Sequence, residues 1–110
     1  MKLPGGGNPV VDERKIVDYL LSPNHPVGRH KAKVFSSALG LTAEGAFLLA
    51  TALRQAAGTG EAVVTAQDSY GARCRIDFVM TLGDKSATIR SAWLAPTAGG
   101  SPIFLMAFVL

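Results

Sequence analysis

The sequence has 110 residues, a common length for one domain, and 48% of them are hydrophobic, which is enough to form a core. A single cysteine, Cys74, excludes an internal disulfide, so no oxidising compartment is required and a cytoplasmic protein is expected. The most apolar stretch, Ile103 to Leu110, is far shorter than the ~20 residues of a membrane-spanning helix, so no membrane partner is expected.

The net charge of +3 is unevenly distributed. Residues 1–33 contain six Lys or Arg and three Asp or Glu, whereas residues 34–110 contain five of each, so the whole excess lies in the first third. A basic patch of this kind suits an anionic partner. Charged residues make up only 17% of the chain, below the usual roughly 25%, which leaves apolar surface that a partner subunit could cover.

Residues 1–9 are rich in Gly and Pro and predict a flexible lead-in, followed by a single domain over residues 10–110. Asp12 can cap a first helix that runs to about Leu21. Two prolines then break the helix and bias His25, which precedes Pro26, away from helical angles.

A second helix is predicted from about Gly28 to Leu39, with Gly40 closing it in a left-handed conformation. Thr42 can cap a third helix, which is rich in Ala and Leu and stops at Gly58-Thr59-Gly60.

From Glu61 onward the hydrophobic period changes to two, which predicts strands over residues 62–66, 73–82, 85–94 and 103–109. Gly83-Asp84 makes a tight hairpin turn. The last strand is apolar on both faces, which is typical of a central or interfacial strand. The order of elements predicts an α+β fold with two or three N-terminal helices packed on a four-stranded antiparallel sheet.

Two groups of residues carry a family resemblance: residues 15–21 (KIVDYLL), and His25-Pro26-Val27-Gly28 with residues 31–35 (KAKVF) after it. They resemble a signature of small uncharacterised bacterial proteins, also found as C-terminal modules of adhesin-like or phage-related chains. The Tyr70-Gly71 turn and residues 91–94 (SAWL) are similar to the rest of that pattern.

That family in turn resembles the barnase, EndoU, colicin and RelE-like group of metal-independent ribonucleases, many of which are toxins. The resemblance implies N-terminal helices, a four-stranded sheet and RNA as the substrate. This chain departs from the pattern in its last strand, residues 103–110, where IFLMAFVL replaces a strand with polar residues. The departure counts against catalytic activity, because the sheet-face chemistry needs those polar groups.

Metal-independent cleavage of RNA needs proton transfer and cations that stabilise the charged phosphorane. His25 is the acid/base candidate, because imidazole titrates near neutrality, and Lys31 and Arg90 complete the predicted catalytic set. Gly28 and Arg29, with Lys31, are predicted to bind phosphate where the loop enters the second helix. The alternative is that His25 only shapes its turn through local hydrogen bonds.

Arg75 is predicted to add a phosphate contact beside Arg90, the alternative being cross-strand salt bridges with nearby aspartates. Tyr70 and Trp93 are candidates for stacking a base, and a core position is the alternative for Trp93. No cofactor and no metal site is predicted, because the two histidines and the carboxylates lack a metal-ligand spacing.

Two functions are therefore compatible with the sequence. One is a ribonuclease-toxin-like or RNA-binding domain, which the basic loop and the resemblance favour. The other is a non-enzymatic protein-interaction module, which the low charge and the apolar last strand favour. Its partner would be a second copy of the chain or a cognate small protein, as in a toxin–immunity pair.

Overall fold

The first helix begins where the sequence predicts it, because the side chain of Asp12 accepts a hydrogen bond from the Arg14 N–H at 3.0 Å. In the computed structural model, which describes residues 1–110, helix α1 spans Glu13–Lys15. The chain continues without a break as a π-helical turn over Ile16–Leu20, whose first and last side chains are buried.

Helix α2 spans Arg29–Leu39 and ends at Gly40, whose φ of 67° is the predicted left-handed conformation. Helix α3 spans Ala46–Thr59 and follows a 3₁₀ turn over Ala43–Gly45. The prediction that Thr42 caps the third helix is wrong in detail. Thr42 has the extended backbone of a cap residue, but its hydroxyl makes no capping hydrogen bond.

Four strands follow in one antiparallel sheet, in chain order, and confirm the predicted α+β fold. They are β1 (Ala62–Asp68), β2 (Gly71–Leu82), β3 (Lys85–Pro96) and β4 (Ile103–Val109). The predicted hairpin turn at Gly83-Asp84 is present, with Leu82 paired to Lys85.

The core lies between the helices and one face of the sheet. Because side chains alternate along a strand, every second residue of the strands points into this layer. The fully buried large side chains come from both layers and include Ile16, Leu20, Phe35, Leu49, Leu53, Ile76, Ile89 and Trp93.

The other face of the sheet is covered by no helix, and we call it the open face. It consists of the side chains that alternate with the buried ones, chiefly Arg73, Arg75, Asp77, Val79, Thr81, Thr88, Arg90, Ala92 and Leu94 of the two central strands. From β4, Phe108 pairs with Arg90 and Ile103 with Leu94, which places both on the same face.

Strand β4 is an edge strand, so of the two predicted alternatives, a central or an interfacial strand, the central one is wrong. Only its beginning is covered: Val10 forms a parallel bridge with Ile103, and the side chain of Lys15 donates to the Leu105 carbonyl at 2.7 Å. That carbonyl lies at a bulge, where the register with β3 shifts between Ala92 and Trp93. The rest of the edge, toward Val109, has no strand beside it.

Residues 1–9 were expected to be a loose lead-in, but they make specific contacts with the domain. Leu3 is buried in the core, the N-terminal amine pairs with Glu61, and the Met1 carbonyl accepts a hydrogen bond from the Ala62 N–H. The N-terminal segment therefore packs beside the start of β1.

Candidate functional site

His25 caps the turn over residues 26–28 that leads into α2. Its Nδ1 atom accepts hydrogen bonds from the Val27 N–H at 3.0 Å and the Gly28 N–H at 2.9 Å, and its carbonyl accepts one from the Arg29 N–H. These are the bonds that an N-cap residue makes to the second, third and fourth residues after it, with Pro26 in the favourable first position. His25 therefore shapes its turn through local hydrogen bonds, which is the alternative that the sequence had left open.

Capping also fixes what the imidazole can do chemically. A nitrogen that accepts two N–H groups carries no proton, so the proton of the neutral ring is on Nε2. His25 can thus donate a hydrogen bond through its Nε2–H, whereas Nδ1 is not free to act as a base.

Tyr19 connects two of the three residues predicted to be catalytic, and the sequence had not identified it as part of the site. Its ring meets the His25 ring edge-on, with 4.6 Å between centroids, and the Lys31 ammonium lies 5.9 Å from the Tyr19 centroid. We call Tyr19, His25 and Lys31 the Tyr19 cluster. The available signal was Tyr19 itself, a side chain with a polar end within an otherwise apolar helix face.

Gly28 is required by this arrangement rather than by a ligand. A Cβ atom on Gly28 would lie 2.1 Å from the Tyr19 carbonyl oxygen, so no larger residue fits without moving the backbone. The predicted anion-binding position at Gly28 is buried, and its N–H is already used by His25.

A groove of about 950 Å³ runs along the exposed side of α2, and we call it the α2 groove. Its lining includes three basic side chains, Arg29, His30 and Lys33, and one carboxylate, Glu44. Lys31 is absent from this lining, because it lies about 200° around the helix from Arg29 and faces Tyr19 instead. The basic loop of the sequence therefore supplies two neighbouring sites.

The basic residues of α2 have no carboxylate partner, as is also the case for Arg14, Lys15, Arg75 and Lys85. Elsewhere, Lys2, Arg54, Arg73 and Arg90 each lie within ion-pair distance of a carboxylate. No carboxylate lies within that distance of Arg29, Lys31 or Lys33. The positive field of α2 is therefore available to an anionic ligand.

Arg90 lies on the open face, on the opposite side of the sheet from the helices. Its Nε and Nη2 atoms each donate to Asp77, at 2.9 Å, in a bidentate pair. These hydrogen bonds lower the pKa of Asp77 and raise that of Arg90. The structure therefore does not bring Arg90 together with His25 and Lys31, and the salt-bridge alternative describes its observed contact.

The other predicted site residues, Arg75, Tyr70 and Trp93, also lie outside the Tyr19 cluster. Arg75 is half-buried on the open face with no carboxylate in ion-pair distance, and Tyr70 is exposed at the β1–β2 turn. Trp93 is completely buried and donates from Nε1 to the Ser91 hydroxyl at 2.9 Å. A base cannot reach Trp93 in this structure, so its stacking role is corrected to a core role.

No three His, Cys, Asp or Glu side chains are grouped in a way that could hold a metal ion. No single helix is long and apolar enough to cross a bilayer, although α2 and the segment Ala43–Thr59 would together have the length and composition across a 77° bend. Burial raises the pKa of the Cys74 thiol, which is the opposite of what a reactive cysteine needs.

Among solved structures, the chain is similar to one chain of the contact-dependent growth inhibition toxin–immunity protein complex from Klebsiella pneumoniae 342. The TM-score is 0.68, the sequence identity 20%, and the match covers 96% of each chain. At this identity the likeness shows a shared fold.

No curated protein sequence matches the chain significantly. The profile of the family described as a domain of unknown function, DUF6883, matches residues 2–110. The chain therefore belongs to the DUF6883 family.

Proposed function

We propose that this chain is an RNA-binding domain of the ribonuclease-toxin type, which holds RNA against the basic side of α2. One observation carries the proposal: Arg29 and Lys33, one helical turn apart, both line the α2 groove and have no carboxylate within ion-pair distance. Lys31 adds a third unpaired cation on another face of the same helix. RNA is a polyanion, and unpaired Lys and Arg side chains gain affinity for it by releasing its condensed counterions. The similarity in fold to a chain of a toxin–immunity complex is compatible with the toxin type and with the immunity type alike.

Cleavage is supported less directly than binding. The Tyr19 cluster offers the Nε2–H of His25 as a hydrogen-bond donor to a leaving oxygen and the Lys31 ammonium as a cation for a charged intermediate. Nδ1 of His25 is occupied and is therefore not a free base. Arg90, the third predicted catalytic residue, lies on the other side of the sheet. We therefore propose His25 and Lys31 as the residues that would contribute to any cleavage.

The binding proposal is tested by fluorescence anisotropy with a short labelled oligouridylate over a series of salt concentrations. We expect the logarithm of the binding constant to fall with the logarithm of the salt concentration, by about 0.7 per phosphate neutralised. The double variant R29A/K33A should reduce that slope by about 1.4. Arg14→Ala is the matched control, because Arg14 is an exposed, unpaired cation outside the groove.

Binding that does not depend on salt, or a double variant that binds as the unmodified protein does, would contradict the proposal. Cleavage is read separately, by incubating the protein with total transfer RNA. RNA that stays intact would exclude the ribonuclease role and leave the binding role to be judged from anisotropy.

A second candidate function, a protein-interaction module, is favoured by the open face. Ile103 and Phe108 are each more than a third exposed there, and Val79 is 68% exposed. Exposed apolar groups on an uncovered sheet face are typical of an interface. The partner would be a second copy of the chain or a cognate small protein, since the structural neighbour comes from a toxin–immunity complex.

Sedimentation velocity over a wide range of protein concentrations tests the homodimer form of this candidate. We expect a concentration-dependent dimer that the charged substitution Phe108→Asp abolishes, whereas Val27→Asp, at an exposed position away from the sheet, leaves it intact. A monomer at all concentrations would exclude the homodimer.

A further inference from the structure

Glu44 is the one carboxylate among the residues that line the α2 groove. It belongs to the 3₁₀ turn before α3, is exposed, and makes no hydrogen bond or ion pair with the basic side chains opposite it. A free carboxylate weakens the attraction of a groove for phosphate. Its presence is accounted for if the ligand of this groove also presents hydrogen-bond donors at that position.

The rest of the groove is suited to a ligand with a flat apolar part. Pro23 and Ala43 present accessible apolar surface above the buried Leu21 and Leu41, while Arg29 and Lys33 contribute positive charge. The volume is within the range of about 300–1,000 Å³ that small-ligand sites occupy. A nucleotide of a single strand has this composition, because its unstacked base is flat and largely apolar and its phosphate is anionic.

The four RNA bases differ in what they offer a carboxylate. Guanine presents two neighbouring donors, N1–H and the N2 amino group, so both carboxylate oxygens can accept at once. Adenine and cytosine place a ring acceptor beside their amino group, and uracil has one N–H between two carbonyl acceptors. A carboxylate next to any of these acceptors is repelled.

We infer that Glu44 selects guanine in single-stranded RNA bound in the α2 groove, with Arg29 and Lys33 holding the adjacent phosphates. This inference rests on the proposed RNA-binding function and adds the specificity to it.

The test uses short labelled oligouridylates that carry one central G, A, C or U, so that only one base differs. We expect the probe with G to bind about tenfold or more tightly than the other three, as for a good bidentate contact. Because the phosphates are identical, the ratio between probes is independent of the general attraction for RNA.

Glu44→Gln removes the charge and places a donor where an acceptor was. We expect it to abolish the preference for G, because an amide has one donor and one acceptor and can pair with a donor–acceptor edge of any of the four bases. Asp84→Asn is the matched control, since Asp84 is an exposed, unpaired carboxylate at the β2–β3 turn, outside the groove. Thermal unfolding of both variants shows that each remains folded.

The outcomes distinguish this inference from the function on which it rests. Equal binding of all four probes, or a preference for G that persists in Glu44→Gln, overturns the role of Glu44 while RNA binding stands. If no probe binds at any salt concentration, the proposed function fails and the inference fails with it.

Discussion

Replacing His25 separates its structural contribution from any chemical one. In His25→Ala the Val27 and Gly28 N–H groups lose their acceptor, and loss of an N-cap costs about 0.5–2 kcal/mol. The Gly28 N–H is partly buried, so water replaces its lost partner poorly and the upper half of that range is expected. Loss of the edge contact with the Tyr19 ring adds about 0.5–1.5 kcal/mol.

We therefore expect His25→Ala to lower the free energy of unfolding by about 2–3 kcal/mol. His25→Asn should recover about 1 kcal/mol of this loss, because asparagine Oδ1 is attached to Cγ as histidine Nδ1 is, and Asn is a favoured cap. The assay is urea denaturation followed by circular dichroism, comparing midpoints and slopes.

Two results would refute this reasoning about the cap. One is a midpoint for His25→Ala equal to that of the unmodified protein, and the other is a His25→Asn variant no more stable than His25→Ala. If the protein cleaves RNA through His25, the Asn variant keeps part of the stability and loses the cleavage, because asparagine has no N–H at the position of Nε2.

Three further predictions concern the sheet. Ser91→Ala should lower the free energy of unfolding by about 2–6 kcal/mol, because the buried Ser91 hydroxyl joins Trp93 Nε1 to a strand carbonyl and both would lose this partner. Urea midpoints measure the loss of stability. A loss below about 1 kcal/mol would contradict the prediction. Cys74 should resist iodoacetamide in the folded protein and react after unfolding, since burial raises the pKa of its thiol; rapid alkylation under native conditions would contradict this. The hydrogen bond from Arg90 lowers the pKa of Asp77 below its ordinary value of 3.8, so the stability from this pair is complete above that value and is lost as the pH falls through the lower, folded-state pKa. Asp77→Asn should therefore flatten, without abolishing, the acid loss of stability in urea midpoints measured from about pH 5 to about pH 2; an unchanged profile would contradict the contribution of the pair.

The sequence was a good guide wherever a local rule decides the structure. The Asp12 cap, the left-handed Gly40 and the Gly83-Asp84 turn are all set by residues within four positions of one another. The change of hydrophobic period from helical to alternating gives the α+β order of elements, because each element must bury one face.

Tertiary structure decided which of the basic residues share a site. Arg90 is separated from His25 by the whole thickness of the sheet, since the direction of a strand residue depends on its register and on which face the helices cover. Tyr19 lies between His25 and Lys31 because the π-helical turn packs against the start of α2, which no sequence spacing shows.

The sequence by itself therefore determined the fold class, the start of the first helix, the end of the second and a basic segment over His25 to Lys33. The structure alone divided that segment into the Tyr19 cluster and the α2 groove, added Glu44 to the groove, and made β4 an edge strand. The physical reason is that caps and turns arise from neighbouring residues, whereas a site is formed by contacts between elements distant in the chain.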